Sequence, residues 1–520
     1  MTSRALMSGV VAIALAGATL LACGDDDAAE PNRTPTQPDA GPTPGTDASV
    51  ADVAQTDAAA EATTDAQTAS APIAPLSTTR IANAINPYGL VFASDGYLYA
   101  SGATIDDSAD RVLAVWRFKD GALDTTFGDS GVVTVGITGT ETSYDIVEVS
   151  AGNFVVHAVT SGTAGKVYLV KLTKDASGAY SFGAPVEVAF DWADGDFTDW
   201  PGANPPVYAT SWGIALDKSV AASPKIVVFA SGAPAKGKLG KAGGAQAGVQ
   251  RTDSDRWIAR VLADTLAPDP AFNGGKAFSA DIDDLELPDN ARRGIVHADG
   301  SIVAAGYTAV PSGNHVALIR LLANGTVDPT FGFGTTAPGV PGQAKFNAFS
   351  AVPGGFSEAY AIARQSSGRY VTAGYGTSNF VVPSVNVDFL SFGVKADGID
   401  PTFGKLGALV WQSEGDKSAG LGTVPFTDRT RSLVVLPDDR IVYAGQYDDY
   451  ATVFVADKNG KADPSAGESG RIGYSYPAGF FKVALSADGT RIAASAQSLN
   501  QTADAGAPLG SVLAILKVGQ

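Results

Sequence analysis

Val327-Asp328-Pro329-Thr330-Phe331-Gly332 decides how the rest of the chain is read. The stretch returns as LDTTFG (Leu123 to Gly128), PDPAFN (Pro268 to Asn273), IDPTFG (Ile399 to Gly404) and, eroded, ADPSAG (Ala462 to Gly467). A motif repeated through a chain marks an architectural unit before it marks an active site. Its residues suit a tight corner. Pro329 and Pro401 preset φ for a turn, and Asp124, Asp269, Asp328 and Asp400 can accept hydrogen bonds from local backbone amides. Phe127, Phe272, Phe331 and Phe403 are placed to pack between neighbouring sheets. Gly128, Gly332 and Gly404 permit a backbone bend that a Cβ would oppose.

Outward from each corner the residues alternate with the period of a strand. In the first unit Gly89 to Ala93 turns at Ser94-Asp95-Gly96 into Tyr97 to Gly102, a strong hairpin signal because glycine accepts the positive φ of such turns. A third strand, Val112 to Phe118, precedes the corner, and a fourth, Gly131 to Val135, follows it. The plan recurs around Gly294 to Gly306, Tyr360 to Gly374, Leu433 to Gly445 and Val483 to Ser495, and more weakly at Ile146 to Val159 and Ile214 to Gly232. Seven four-stranded units at a period of roughly 50 to 75 residues predict an all-β fold, a β-propeller. The last unit stops at its third strand, Ser511 to Val518, whereas Leu76 to Ile81 has no partner of its own. This N-terminal piece is therefore expected to complete the last blade and close the ring.

The corners and Asp-Gly hairpins resemble the delta-60 repeat family, bacterial β-propellers of unknown function found in secreted and surface proteins. The resemblance covers about residues 80 to 520. It is clear in the first, fourth and fifth units and degenerate in the second, where Tyr180 to Gly183 stands in. It implies a fold and brings no catalytic residues with it.

The chain before the repeats is read differently. Arg4 and the apolar run Met7 to Leu21, shorter than the roughly 20 residues a bilayer helix needs, form a signal peptide over residues 1–22. The run ends in Leu20-Leu21-Ala22-Cys23, which resembles a bacterial lipobox, and Cys23 is the chain's only cysteine. Lipidation of Cys23, with palmitate among the acyl chains, would anchor the protein without spanning the membrane. Gly24 after the cysteine points to the outer membrane or cell surface rather than the inner membrane. Residues 23–75 carry eight Asp, two Glu and one Arg, and no aromatic precedes Tyr88. Such a segment cannot offset its ordering entropy by burial, and it reads as a disordered acidic tether. The propeller is placed at residues 76–520, and a monomer is the expected state.

Function is far less legible. The net charge of -18 argues against nucleic acid as a partner, because phosphate binding needs clustered Lys and Arg. The three histidines, His157, His297 and His315, fall in no metal or catalytic pattern, and there is no GxSxG elbow. Gly232 to Leu239 matches GxxxxGK but lacks the Ser or Thr and the following helix of a phosphate loop, so residues 233–251 read as a long basic loop. Asp281 to Asp289 reads as a solvated acidic loop. The segment that most disrupts the repeat is Asp191 to Trp212. It sets Asp191, Asp194, Asp196 and Asp199 among Trp192, Trp200 and Trp212. Carboxylates so placed could hold a hard cation such as Ca²⁺, or with the aromatics a sugar or peptide; a loop pinned by its aromatics is the plainer reading. No cofactor is otherwise implied. The expected role is a membrane-tethered binding or scaffold module for an extracellular protein or glycan. The alternative is a periplasmic or surface hydrolase or lyase with its site at the channel mouth.

Overall fold

The computed structural model describes residues 70–519 apart from internal stretches, of which 193–209, 333–341, 412–427 and 499–509 are the longest. Seven antiparallel sheets of four or five strands follow one another along the chain. Their first strands are Ile85–Phe92, Thr140–Ser150, Thr210–Asp217, Asp289–Val296, Ser357–Arg364, Arg429–Val435 and Phe480–Leu485. Each first strand touches those of the preceding and following blades, and the first touches the last, so the seven line a common axis. This is a seven-bladed β-propeller, as the repeat predicts.

The strand Ile73–Ala82 supplies the outer edge of blade 7. It pairs antiparallel with Gly510–Val518, from Ile73 opposite Val518 to Ala82 opposite Gly510. It begins three residues before the boundary read from sequence, because Ile73 is buried against blade 7 and Gly519 donates its amide to the Pro72 carbonyl at 2.7 Å. The lone outer strand thus finds its ladder and covers the edge of Gly510–Val518.

Strand direction alternates across each blade, so the two faces of the disc differ. The inner strands begin at one, the entry face, where connections 188–209, 233–254, 412–428 and 497–509 join strand ends. The tight hairpins and the repeated corners share the other, the corner face. There Gly96, Gly300, Gly368 and Gly489 take positive φ in the hairpin turns, while Asp439 takes φ 66° in the turn of blade 6.

The corners are built alike. Asp328 accepts from the Thr330 amide at 2.9 Å and the Thr330 hydroxyl at 2.7 Å with one oxygen, and pairs with Arg320 at 3.2 Å through the other. Asp124 does the same with Thr126 and Arg117, Asp400 with Thr402 and Arg369, and Asp269 takes the Ala271 amide and Arg260. In the eroded corner Asp463 bonds the Ser465 amide and Arg440. Thus the arginine that neutralises each corner carboxylate comes from the third strand of the same blade or from the position just before its second strand. Gly332 sits at φ 78°, against the backbone of Gln343, where a Cβ has no space. Phe127, Phe272, Phe331 and Phe403 are each at most 1% exposed. Phe331 meets Tyr370 of the next blade edge-on at 5.9 Å. Burial of such a ring contributes several kcal/mol.

Phe331→Ala should therefore lower unfolding free energy by about 3–5 kcal/mol in urea denaturation. Leu406→Ala, at a position that is 80% exposed beside another corner, should change it by less than about 0.5 kcal/mol.

Candidate functional site

Every inner strand leaves its ladder near its start, and Thr140–Ser150 does so again at Glu148/Ser150. The register shifts fall at Ile85/Gly89, Thr142/Asp145, Ser211/Gly213, Ala291/Arg293, Ala359/Ala361, Thr430/Ser432 and Phe480/Lys482. A bulge leaves a residue unpaired and re-aims its side chain. The residues set free are Tyr88, Tyr144, Trp212, Arg292, Tyr360, Arg431 and Phe481, one from each blade.

Tyr144, Trp212, Tyr360, Arg431 and Phe481 meet partners from blades that are not neighbours, and Tyr88 and Arg292 pack on the same rings, so all seven turn to the axis. Trp212 of blade 3 stacks on Phe481 of blade 7 with centroids 5.4 Å apart, and meets Tyr360 of blade 5 edge-on at 5.3 Å. Tyr88 lies on Phe481 at 3.6 Å and on Tyr144 at 5.4 Å, and Tyr144 on Trp212 at 5.0 Å. The guanidinium of Arg292 is 4.3 Å from the Trp212 centroid and 4.8 Å from that of Tyr360; that of Arg431 is 4.6 Å from Tyr360 and 5.4 Å from Trp212. Cations over aromatic faces at these distances attract the ring quadrupole, and more strongly where water is excluded.

The residues after the bulges form a second layer: Gly89, Asp145, Gly213, Arg293, Ala361, Ser432 and Lys482. Arg293 fans across the axis and donates to the carbonyls of Trp212 at 3.0 Å, Arg431 at 3.0 Å and Tyr144 at 3.2 Å. One side chain so ties blades 2, 3, 4 and 6. Gly213 makes this approach feasible, since a Cβ there would lie 2.9 Å from Arg293 Cγ. Lys482 pairs with Asp145 at 2.8 Å across blade 1. Burial, with Arg293 nearby, pulls the Lys482 ammonium down to about 8, and Asp145 opposes the shift. These fourteen positions hold four cations and one carboxylate.

A tyrosine and carboxylate network adjoins the cluster. Tyr360 donates to Glu358 at 3.0 Å and its hydroxyl lies 2.6 Å from that of Tyr375. Asn314 donates to the other Glu358 oxygen at 2.6 Å, and Arg292 donates to Tyr307 at 2.9 Å. Burial pushes the Tyr360 phenol up to about 12 and raises Tyr307 and Tyr375 as well, so all three stay protonated. His157, fully buried, hydrogen-bonds Ser211 Oγ through Nε2 at 2.8 Å, and burial lowers it to about 3.

The segment that disrupts the repeat is divided by the fold. Trp212 belongs to the axis. Trp192 instead stacks on Phe190 at 4.5 Å and meets Trp257 edge-on at 6.0 Å between blades 2 and 3, and its neighbour Asp191 accepts the Lys236 amide at 3.3 Å through its carbonyl. Asp194, Asp196, Asp199 and Trp200 lie outside the described residues, as does Cys23. The acidic stretch 281–289 departs at its two ends from the solvated loop expected, and Asp283 and Asp284 lie outside the described residues. Asp281 and Asp289 are buried, because Arg251 pairs with Asp281 at 3.1 Å, and also with Asp253 and Asp255, while Asp289 accepts the Ile282 amide at 2.6 Å. Among the described residues no group of three or more His, Cys, Asp or Glu is arranged to hold a metal ion, and no helix is long and apolar enough to cross a membrane.

Sequence reading passes over six of the seven axial residues, yet they carry a signal. Four of the seven lie seven positions before an aspartate of their hairpin turn: Tyr88 and Asp95, Arg292 and Asp299, Arg431 and Asp438, Phe481 and Asp488.

A family model described as a domain of unknown function (DUF5122) beta-propeller matches residues 297–331. That span runs from the hairpin of blade 4 to its corner phenylalanine. No curated protein matches the chain. Among solved structures, Sqt1 from Chaetomium thermophilum is similar at 12% identity over 80% of this chain and 83% of its own, with a TM-score of 0.37. A protein from Lactobacillus plantarum is similar at 13% identity over 73% and 83%, with a TM-score of 0.39. Nothing about ligands or activity follows from scores this low.

The His157 geometry predicts a pH effect. The unfolded imidazole takes a proton below about pH 6.5 and the folded one not until about pH 3, so the unfolded state binds the extra proton and stability falls as pH falls through this window. In urea denaturation between pH 6 and 4, His157→Gln should flatten that decline by up to about 1.4 kcal/mol per pH unit. An unchanged slope would show that His157 does not carry it.

Proposed function

We propose that this chain is a lipid-anchored propeller of the bacterial envelope that binds an extracytoplasmic protein or glycan at the channel mouth of its entry face. The observation carrying the binding half of this reading is the axial cluster of five aromatics and two arginines, set at the starts of the inner strands. Aromatics and arginines are the residues that concentrate binding energy in desolvated sites. The anchoring half rests on the lipobox at Cys23 and the acidic tether, and outer-membrane or surface placement rests on Gly24. The Asp191 to Trp212 connection, with Ca²⁺ or a sugar as candidate occupant, would add to the rim of the same face.

A hydrolase or lyase reading has one observation in its favour, the convergence of Arg292, Arg293, Arg431 and Glu358 near the channel mouth. Against it, the tyrosines and the histidine there are not poised as bases, and Lys482, drawn down to about 8, is tied to Asp145 at 2.8 Å. Tyr307, Tyr360 and Tyr375 are held protonated, and His157 is buried with its Nε2 engaged by Ser211. Tyrosines in this state donate hydrogen bonds and do not abstract protons. Binding is thus the reading the site supports best.

Two measurements test it. Full-length protein probed on arrays of glycans and peptides should give hits that Arg431→Gln weakens at least about tenfold, the effect of losing one charged contact; hits that persist unchanged would move the binding site off the channel mouth. Cys23→Ala should shift the protein from the membrane fraction to the soluble fraction and abolish palmitate labelling. Retention of either property in the variant would remove the lipoprotein assignment.

A further inference from the structure

Two hydrogen-bond donors in the axial cluster point to the chemistry of its ligand. Arg292 is 3% exposed and spends one terminal N–H on Tyr307, but its Nε–H is buried and meets no acceptor among the described residues. Trp212 is 6% exposed, and its indole Nε1–H is likewise buried without an acceptor. The two side chains are stacked, with the guanidinium 4.3 Å from the indole centroid. A buried donor left unmade costs about 1–3 kcal/mol, and more when it is charged. Two such donors on stacked side chains would each be stabilised by an acceptor.

The charge at this position has a sign. Arg292 and Arg431 both lie within 5.4 Å of the Trp212 centroid, and Arg293 and Lys482 occupy the adjoining layer. Asp145 and Glu358 offset only two of these four cations, Asp145 by pairing with Lys482 and Glu358 while held by Tyr360 and Asn314. Desolvated guanidinium groups bind planar oxyanions better than neutral carbonyls.

Resting on the binding reading above, we infer that the Arg292–Trp212 pair is the recognition point for a small organic carboxylate, one oxygen taking the Arg292 Nε–H and the other the Trp212 Nε1–H. Tyr307 and Tyr360 orient the guanidinium by hydrogen bond and ring face. A ligand presenting a carboxylate on a flat apolar or sugar body is the class this position fits.

The test is calorimetric titration of the full-length protein with sodium acetate, sodium glucuronate, glucose and inorganic phosphate. Glucuronate and acetate should bind, glucose should not, and phosphate should bind more weakly than either carboxylate. Trp212→Phe keeps an aromatic ring and removes only the N–H donor, and should weaken carboxylate binding about tenfold, the worth of one hydrogen bond to a charged group. Arg292→Lys should do at least as much. Carboxylate binding of equal strength in both variants would overturn the assignment, as would tighter binding of phosphate, or no heat from any carboxylate. If glucose binds as well as glucuronate and binding is weakened by Arg431→Gln, the channel mouth remains a binding site and only the carboxylate assignment fails. Circular dichroism of each variant confirms the fold is retained.

Discussion

Seven twisted sheets that converge on one axis leave a hole there, and the rest of this structure depends on how the hole is filled. Regular inner strands would send alternate side chains along the axis without bringing any one level together. The seven bulges solve this by releasing one residue per blade at the same height. Rings from blades 1, 2, 3, 5 and 7 then share a single apolar cluster, while the remaining clusters lie mostly between adjacent blades. Packing between neighbours fixes each local angle. Only the axial contacts, with the fan of hydrogen bonds from Arg293, make all the angles answer to one another.

That plug is costly in composition. Each cation removed from water carries a desolvation penalty of several kcal/mol, and a well-packed hydrocarbon plug would fill the space without it. Ring faces and backbone carbonyls return part of the penalty, as Arg293 shows with three carbonyl acceptors. The corner arginines face no such difficulty, because each has a carboxylate of its own blade within reach. The same residue type thus closes a turn at one face and brings charge to the axis near the other. Carboxylates of their own blades hold Arg117, Arg260 and Arg320, whereas Arg292 lies against ring faces and the Tyr307 hydroxyl.

What the sequence disclosed follows from where its information is local. The corner reads directly from six consecutive residues, because Asp328, Thr330 and Arg320 satisfy one another within a dozen positions. The hairpins read from a glycine at positive φ. Blade number follows from counting both. The axial cluster does not read this way, since Trp212, Tyr360 and Phe481 come from three distant parts of the chain and are joined only by the closed ring. Trp212 drew notice through its tryptophan and aspartate neighbours, and the fold sends it away from Trp192 to the axis. Asp281 and Asp289 seemed solvent-facing because acidic runs usually are, and the partners that bury them, Arg251 and the Ile282 amide, are not a motif. In each case the missing information was a counterion or neighbour contributed by another strand.

The edge strand Ile73–Ala82 has a mechanical consequence. Its first residue lies at the corner face, where the Ala71 carbonyl also accepts from Arg440 at 2.6 Å, and it runs toward the entry face beside Gly510–Val518. Traction on the chain before Ile73, resisted by something held at the entry face, pulls along the strand rather than across it. The ladder from Ile73 to Ala82 is then loaded in shear, with its rungs sharing the force at once, instead of being peeled from one end. Resistance to such force is set by the barrier to unfolding and not by equilibrium stability, and a strand pulled lengthwise presents a high one.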